Sequence, residues 1–299
     1  MDWSQFSEDL NQILSQKDLP SLHILSAHKI EGGDSHLSYQ LHTAEKNYFL
    51  KLSPAQNLIM LEAEIHNLTA IEHSQTISCP KAIATGISQN HAWLLLEFIP
   101  LSNHGNDFQR GRDIAFMHHQ LNRDTSPFGW SENNFIGRNL QQNQWHMNWV
   151  DFYGQQRLKP QLELAQLRDA SVDLYRLGME LIDCLPYWFQ DYQPKASLLH
   201  GDLWAGNSAF DPTGVPVIYD PASYYGDRET DIAMTELFGG FSPEFYEGYT
   251  DLFPLDKGYQ SRKPLYNLYH ILNHFNLFGG HYEAQAMQII QSLLHQARQ

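Results

Sequence analysis

The stretch LLHGDLWAGN, residues 198–207, places a carboxylate, Asp202, five residues before an amide, Asn207. The segment VPVIYDPA, 215–222, then brings a second carboxylate, Asp220, after one hairpin's worth of chain. Transfer of a phosphoryl group from a nucleotide needs such a set: one Asp at the attacking hydroxyl, and an Asn with an Asp to hold Mg²⁺ on the phosphates. Taken singly, Asp202 could cap local backbone and Asp220 could form a strand-end turn. Together they lead us to expect an ATP-dependent phosphotransferase, with Asp202 as base and Asn207 and Asp220 as Mg²⁺ ligands.

The H-x-D-x-x-x-x-N spacing is that of the protein-kinase catalytic loop, with Gly201 where those enzymes carry Arg. Other segments must then supply a lysine, a phosphate loop and a hinge. In YFLKLS, alternation sets Tyr48, Leu50 and Leu52 on one face of a strand and Phe49 and Lys51 on the other. Lys51 could merely snorkel to water, or it could pair with nucleotide phosphates and a helix glutamate. Glu62 and Glu64 in the following helical segment are the candidates for that pair; Glu64 is preferred, but helical phase leaves Glu62 open. Just upstream, GGDSH at 32–36 lies where a phosphate flap belongs, so Gly32, Gly33 and Ser35 are read as nucleotide-binding. It is no Walker loop, because no G-K-[ST] follows. The strand HAWLLLEFIP runs into a change of character, and the backbone of Glu97 and Ile99 would meet adenine there. An ordinary strand end is the alternative.

The elements needed to hold these groups are visible in outline. MDWSQFSEDLNQIL reads as a short amphipathic helix with Trp3, Phe6, Leu10 and Ile13 on one side. Strands follow over 22–52, then a helix over 53–73 with Ser53 as cap and Pro54 in its first turn. Two strands flank a Gln89–Asn90 turn. Beyond residue 100 the pattern becomes helical: 105–122 through Phe108, Ile114, Met117 and Leu121, then 149–168 with a break at Pro160, and 171–185. The segment 196–220 reads as strand, loop, strand, DPTG turn and strand. A loop then enters a helix near Thr230 or Asp231, and Asp231 could brace the catalytic loop. The tail from 243 is helical scaffold, and His270 and His274 are assigned to a partly buried helix face, not to zinc.

Composition narrows the partners. The 299 residues carry a net charge of −15, which argues against nucleic acid or an anionic membrane surface as partner. Cys79 and Cys184 are far apart and in no metal spacing, as suits a reducing cytoplasm. The N-terminus reads as that amphipathic helix and not as a signal peptide, and no apolar run approaches the length of a membrane span. Between 128 and 149 the chain is rich in Asn, Gln and Trp. Such groups could read a polyhydroxy substrate or satisfy one another within a loop.

With these residues in place, the chain resembles the fructosamine kinase (ketosamine-3-kinase) family, a branch of the aminoglycoside-phosphotransferase and protein-kinase-like superfamily. HGDLWAGN, NNFIG…QNQWHMNWVDFYGQQRL and DPA…YYGDRETDIA carry the resemblance. It implies an α+β, two-lobed kinase-like fold. An N-terminal antiparallel sheet lobe with one main helix (1–98) would precede a mainly helical lobe (99–299). It also implies ATP and Mg²⁺, and phosphorylation of the C3 hydroxyl of a sugar–amine adduct, free or on a protein lysine, leading to deglycation. On that pattern Lys51, Glu64, Asp202, Asn207 and Asp220 keep the roles above, Trp204 stacks on the sugar, and His200 and Asp231 support the loop. Asp34 stands where some members carry a cysteine, so redox control and a disulfide-linked dimer are not carried over; a monomer or weak homodimer is expected. The rival expectations are a related kinase for an aminoglycoside, choline or another sugar, and a non-catalytic nucleotide-binding protein.

Overall fold

The computed structural model describes residues 1–30, 36–120 and 126–299. The expected phosphate-loop residues Gly32, Gly33 and Ser35, with Asp34, and the helix residue Leu121 lie outside these. The chain divides into two compact units, Met1–Gly105 with Ala209–Asp220, and Asn106–Ser208 with Pro221–Gln299. A cut at 98/99 thus falls inside the first unit. Residues 209–220 return to that unit because the backbone ties them there. Ser102 and Phe210 exchange N–H···O bonds of 2.7 and 2.9 Å, and Ile218 N–H donates to the Ser78 carbonyl at 3.0 Å.

The first unit opens with α1 (Trp3–Gln16), capped by Asp2, whose carboxylate accepts from Ser4 N–H at 3.0 Å. There follow β1 (Ile24–Ile30), β2 (Leu37–Thr43), β3 (Asn47–Pro54), α2 (Leu58–Ser74), β4 (Ala82–Ser88) and β5 (His91–Glu97). The strands form one antiparallel sheet in the order β1-β2-β3-β5-β4. Its two faces take different helices. Tyr48, Leu50 and Leu52 pack with Phe6, Leu10, Leu14 and Trp93, while Phe49 packs with Leu61, Leu68, Leu94 and Leu96. The alternation read in β3 is therefore the division between two cores, and Lys51 falls on the α2 side. The helix expected from Ser53 begins only at Leu58. Pro54 still pairs within the sheet, opposite His91, and Ser53 Oγ accepts from Asn57 Nδ2 at 2.9 Å without capping a helix.

The second unit contains α3 (Asp107–Gln120), the short hairpin β6 (Asn134–Ile136) and β7 (Asn139–Gln141), and α4 (Trp149–Phe152), which continues through a π turn over Tyr153–Leu158 into α5 (Lys159–Leu167). The break expected at Pro160 takes the form of that π turn. Proline brings no N–H to the ladder, so the irregular turn is placed directly ahead of it. Next come α6 (Val172–Cys184), with Ser171 as its cap, and β8 (Ser197–Leu199). Strand β9 (Ser208–Phe210) leads out to β10 (Pro216–Ile218) in the first unit, and β11 (Tyr224–Gly226) returns to pair antiparallel with β8. Helices α7 (Glu229–Leu237), α8 (Pro243–Leu252), α9 (Tyr259–Phe278) and α10 (Tyr282–Ala297) complete the chain. Among the described residues no helix is long and apolar enough to cross a membrane.

Helices α3 and α8 touch backbone to backbone at two glycines. A Cβ on Gly111 would lie 1.9 Å from the Phe245 carbonyl oxygen, and one on Gly248 would lie 2.0 Å from that of Phe108. Neither helix can yield locally, so an added methyl must separate them. Gly111→Ala should therefore lower stability by about 1–3 kcal/mol, the range for overpacking a dense core, read as a lower denaturation midpoint.

Candidate active site

Within the first unit, Lys51 is the centre of a charge cluster. Its buried Nζ donates to Glu64 Oε1 at 2.6 Å and to Asp220 Oδ1 at 2.5 Å. Glu62 lies exposed on the other side of α2, so the helical phase selects Glu64. Burial alone would discharge the lysine, but the Asp220 and Glu64 carboxylates outweigh it and raise its pKa. Burial likewise raises the Glu64 carboxyl, and the ammonium draws it back. Asp220 reaches this position with φ of +56°, a left-handed conformation uncommon outside glycine, and its side chain is 50% exposed. Such strain belongs where the surrounding structure dictates a side-chain direction.

His36, the last residue of the GGDSH segment, faces the same charges. Burial and the nearby Lys51 push its pKa down to about 4, against Asp220. The sequence reading assigned it no role. At the end of β5, Glu97 N–H donates to the Lys81 carbonyl at 2.9 Å. Ile99 follows, half-buried.

Within the second unit, Asp202 and Asn207 meet directly: Asn207 Nδ2 donates to the Asp202 carbonyl at 2.9 Å and to its Oδ2 at 3.2 Å. The amide nitrogen is thereby engaged, and the remaining side-chain oxygen is the atom a cation would use. Beneath the loop lies Asp231, fully buried, which accepts from His200 N–H at 2.7 Å, Gly201 N–H at 2.9 Å and His118 Nε2 at 3.1 Å. Burial would raise this carboxyl, but His118, His200 and the backbone donors hold it below the ordinary 3.8. His200 Nδ1 in turn accepts the Asp202 N–H at 3.2 Å. Gly201 is required here. Its φ is +83°, and a Cβ would lie 2.0 Å from the Ala222 carbonyl oxygen, so no side chain fits where protein kinases place Arg.

Trp204 is 40% exposed, and its indole lies so close over Gly206 that a Cβ there would come within 2.2 Å of it. The loop over 128–149 is different. Asn134, Gln141 and Asn143 are buried and bond one another, and Asn134 and Gln141 also bind the Ser223 and Ala222 carbonyls. Arg157, wholly buried, donates to the Gln142 carbonyl and to Asn143 Oδ1, and lies 3.8 Å from the centre of the Tyr224 ring. These amides are thus used to seat the strand behind the catalytic loop, which is the self-satisfied alternative of the sequence reading. His118 and Arg157 carry functions that the sequence did not reveal: each is a polar residue spaced like its apolar neighbours.

A family model described as fructosamine kinase matches residues 6–296. The chain belongs to the fructosamine kinase family. A probable ketoamine kinase of Vibrio parahaemolyticus is 40% identical over 295 residues, covering 98% of this chain and 99% of the relative. A chloroplastic protein-ribulosamine 3-kinase of Arabidopsis thaliana is 37% identical over 267 residues, covering 89% and 81%. A solved structure of a candidate fructosamine-3-kinase from Haemophilus somnus superposes with a TM-score of 0.85 at 26% identity, covering 98% of each chain. At 14% identity and a TM-score of 0.60, an aminoglycoside phosphotransferase solved with ADP and hygromycin B shares the fold, covering 95% of this chain and 98% of its own. The kinase-like α+β fold is thereby established, and this fructosamine kinase family member is an ATP-dependent phosphotransferase.

The role of Asp231 can be measured. Asp231→Asn should cost about 2–3 kcal/mol, since two buried N–H donors lose a charged acceptor. Because its folded pKa is depressed, the contribution is complete above 3.8 and disappears as pH falls toward the lower folded value. Urea unfolding of the variant should therefore show a shallower loss of stability on acidification below that pH than the parent.

Proposed function

We propose that the protein phosphorylates the C3 hydroxyl of a ketosamine, a sugar joined to an amine, with ATP and Mg²⁺, and that loss of the unstable 3-phosphate frees the amine. The observation that carries the acceptor is Trp204, an exposed indole two residues from Asp202, between the buried Leu203 and Asn207 of the same loop. An aromatic face so placed suits the C–H face of a sugar whose hydroxyl approaches the carboxylate. The relative named as a ribulosamine 3-kinase favours the same substrate class and position. The cytoplasm, where ATP is supplied, is the compartment this reading implies.

Asp202 orients the acceptor hydroxyl and takes its proton. Its carboxylate is aimed by Asn207 and by a backbone turn pinned on Asp231. Lys51, held by Glu64, offers a fixed ammonium to the nucleotide phosphates. By the spacing of the motif, Asn207 and Asp220 would supply side-chain oxygens to Mg²⁺, hard donors that suit this ion, and the half-exposed Asp220 can be reached from solvent. When bound, Mg²⁺ would neutralise charge on the phosphates. Glu97 and Ile99 offer backbone groups to adenine, and the segment with Gly32, Gly33 and Ser35 would cover the phosphates.

Incubation with ATP and a panel of fructosyl, ribulosyl and erythrulosyl amines should release ADP, with phosphorus NMR placing the product phosphate on C3. Release with aminoglycosides or choline and none with ketosamines would overturn the reading. Asp202→Asn should lower turnover by about 10²–10⁴-fold, the usual weight of a general base, while ATP binding by calorimetry persists. Trp204→Ala should chiefly raise KM for the ketosamine and leave KM for ATP unchanged.

A further inference from the structure

Helix α9 carries a second imidazole toward the catalytic loop. His270 Nδ1 lies 4.0 Å from Asp202 Oδ1, and the side chain is only 5% exposed. That nitrogen is buried and has no hydrogen-bond partner in the described structure. A buried polar atom left without a partner costs about 1–3 kcal/mol, so a well-packed helix holding one there requires a compensating function.

The charge state narrows what that function is. Burial pushes the His270 imidazole down to about 3, with His274 and Arg157 adding to the effect and Asp231 opposing it. The ring is neutral and cannot form a salt bridge with Asp202. A neutral imidazole still carries one N–H, which it can direct at a carboxylate. The present separation exceeds a hydrogen bond by under about 1 Å, a gap that rotation of either side chain can close. Hydrogen bonds to catalytic groups are commonly long before substrate binds and tighten afterwards. No substrate atom need enter the gap, because Nδ1 is closed to solvent.

We propose that His270 is a positioning residue, which donates its Nδ1–H to Asp202 Oδ1 in the reacting complex and fixes the direction of that carboxylate. Asn207 holds the other oxygen, Oδ2, from the loop side. The two donors then leave Asp202 one orientation toward the acceptor hydroxyl. The inference rests on the assignment of Asp202 as base and on a ketosamine acceptor.

The test compares His270→Leu, which keeps bulk and removes the donor, with His270→Asn, whose amide nitrogen falls near the place of Nδ1. Ketosamine-dependent ADP release is measured for both beside the wild-type protein. His270→Leu should lower kcat by about 10–100-fold, part of a general base's full contribution, with KM for ATP unchanged. His270→Asn should regain most of that loss. Thermal melting checks that the variants fold, and His270→Met replaces the leucine variant should it not. A folded leucine or methionine variant with wild-type kcat overturns the proposal, as does an asparagine variant equally slow. No ketosamine-dependent release by the wild-type protein overturns the acceptor reading itself. Normal release by the leucine variant beside an active wild type overturns only the role of His270.

Discussion

A single buried carboxylate, Asp231, holds the turn on which the catalytic loop is built. Its two oxygens take the N–H groups of consecutive residues, His200 and Gly201, and His118 from α3 closes the arrangement. Consecutive N–H groups converge on one acceptor only when the backbone turns sharply, and Gly201 at φ +83° supplies that turn. The direction of Asp202, the next residue, follows from it. His118 is itself held at Nδ1 by the Tyr249 hydroxyl, which accepts from Arg228. The loop's geometry is therefore supported from α3, α7 and α8, and the close crossing of α3 on α8 at two glycines keeps that support in place.

The first unit solves a different problem, that of holding a cation in an apolar strand. Lys51 is buried against the α2 core and remains charged because two carboxylates converge on it. A buried pair of this kind contributes little net stability, since desolvation offsets attraction. Its value lies in direction: Glu64 on α2 and Asp220 at the end of β10 leave the ammonium little freedom. Asp220 adopts a left-handed backbone to reach it, and β10 is fastened to the same unit through Ser78.

How much of this could be read from the sequence depended on range. The alternation in YFLKLS gave the two faces of β3 correctly, because a period of two is fixed by the strand itself. The start of α2 was misplaced, since Ser53–Pro54 suits a helix start locally while sheet pairing with β5 holds it extended. The pairing of Asp202 with Asn207 was legible because the two lie close in sequence, and the structure joins them by hydrogen bonds. The choice between Glu62 and Glu64 was not, because it turns on helical phase against a distant strand. His118 and Arg157 were out of reach for another reason. Each occupies a helical position indistinguishable from its apolar neighbours, and only the partner brought by the fold, from 113 residues away for His118 and Asp231, gives it meaning. The Asn-rich loop misled in the opposite sense, because its amides looked available and are bonded to one another.

The charges of the proposed site make a final constraint on how it can work. Within the first unit Lys51 contributes one positive charge, while Glu64 and Asp220 contribute two negative ones, a net of −1 before any nucleotide arrives. The surrounding chain, at −15, offers no compensating field. Phosphates brought to such a set meet repulsion unless cations arrive with them, and the lysine is already shared between two carboxylates. On the proposed function, nucleotide affinity would therefore be coupled to divalent-cation binding. Of these carboxylates, Asp220 is the one proposed to bind the ion. Asp220 would stand at that exchange: it helps to hold the lysine and, on the proposed function, would also offer oxygen to the metal.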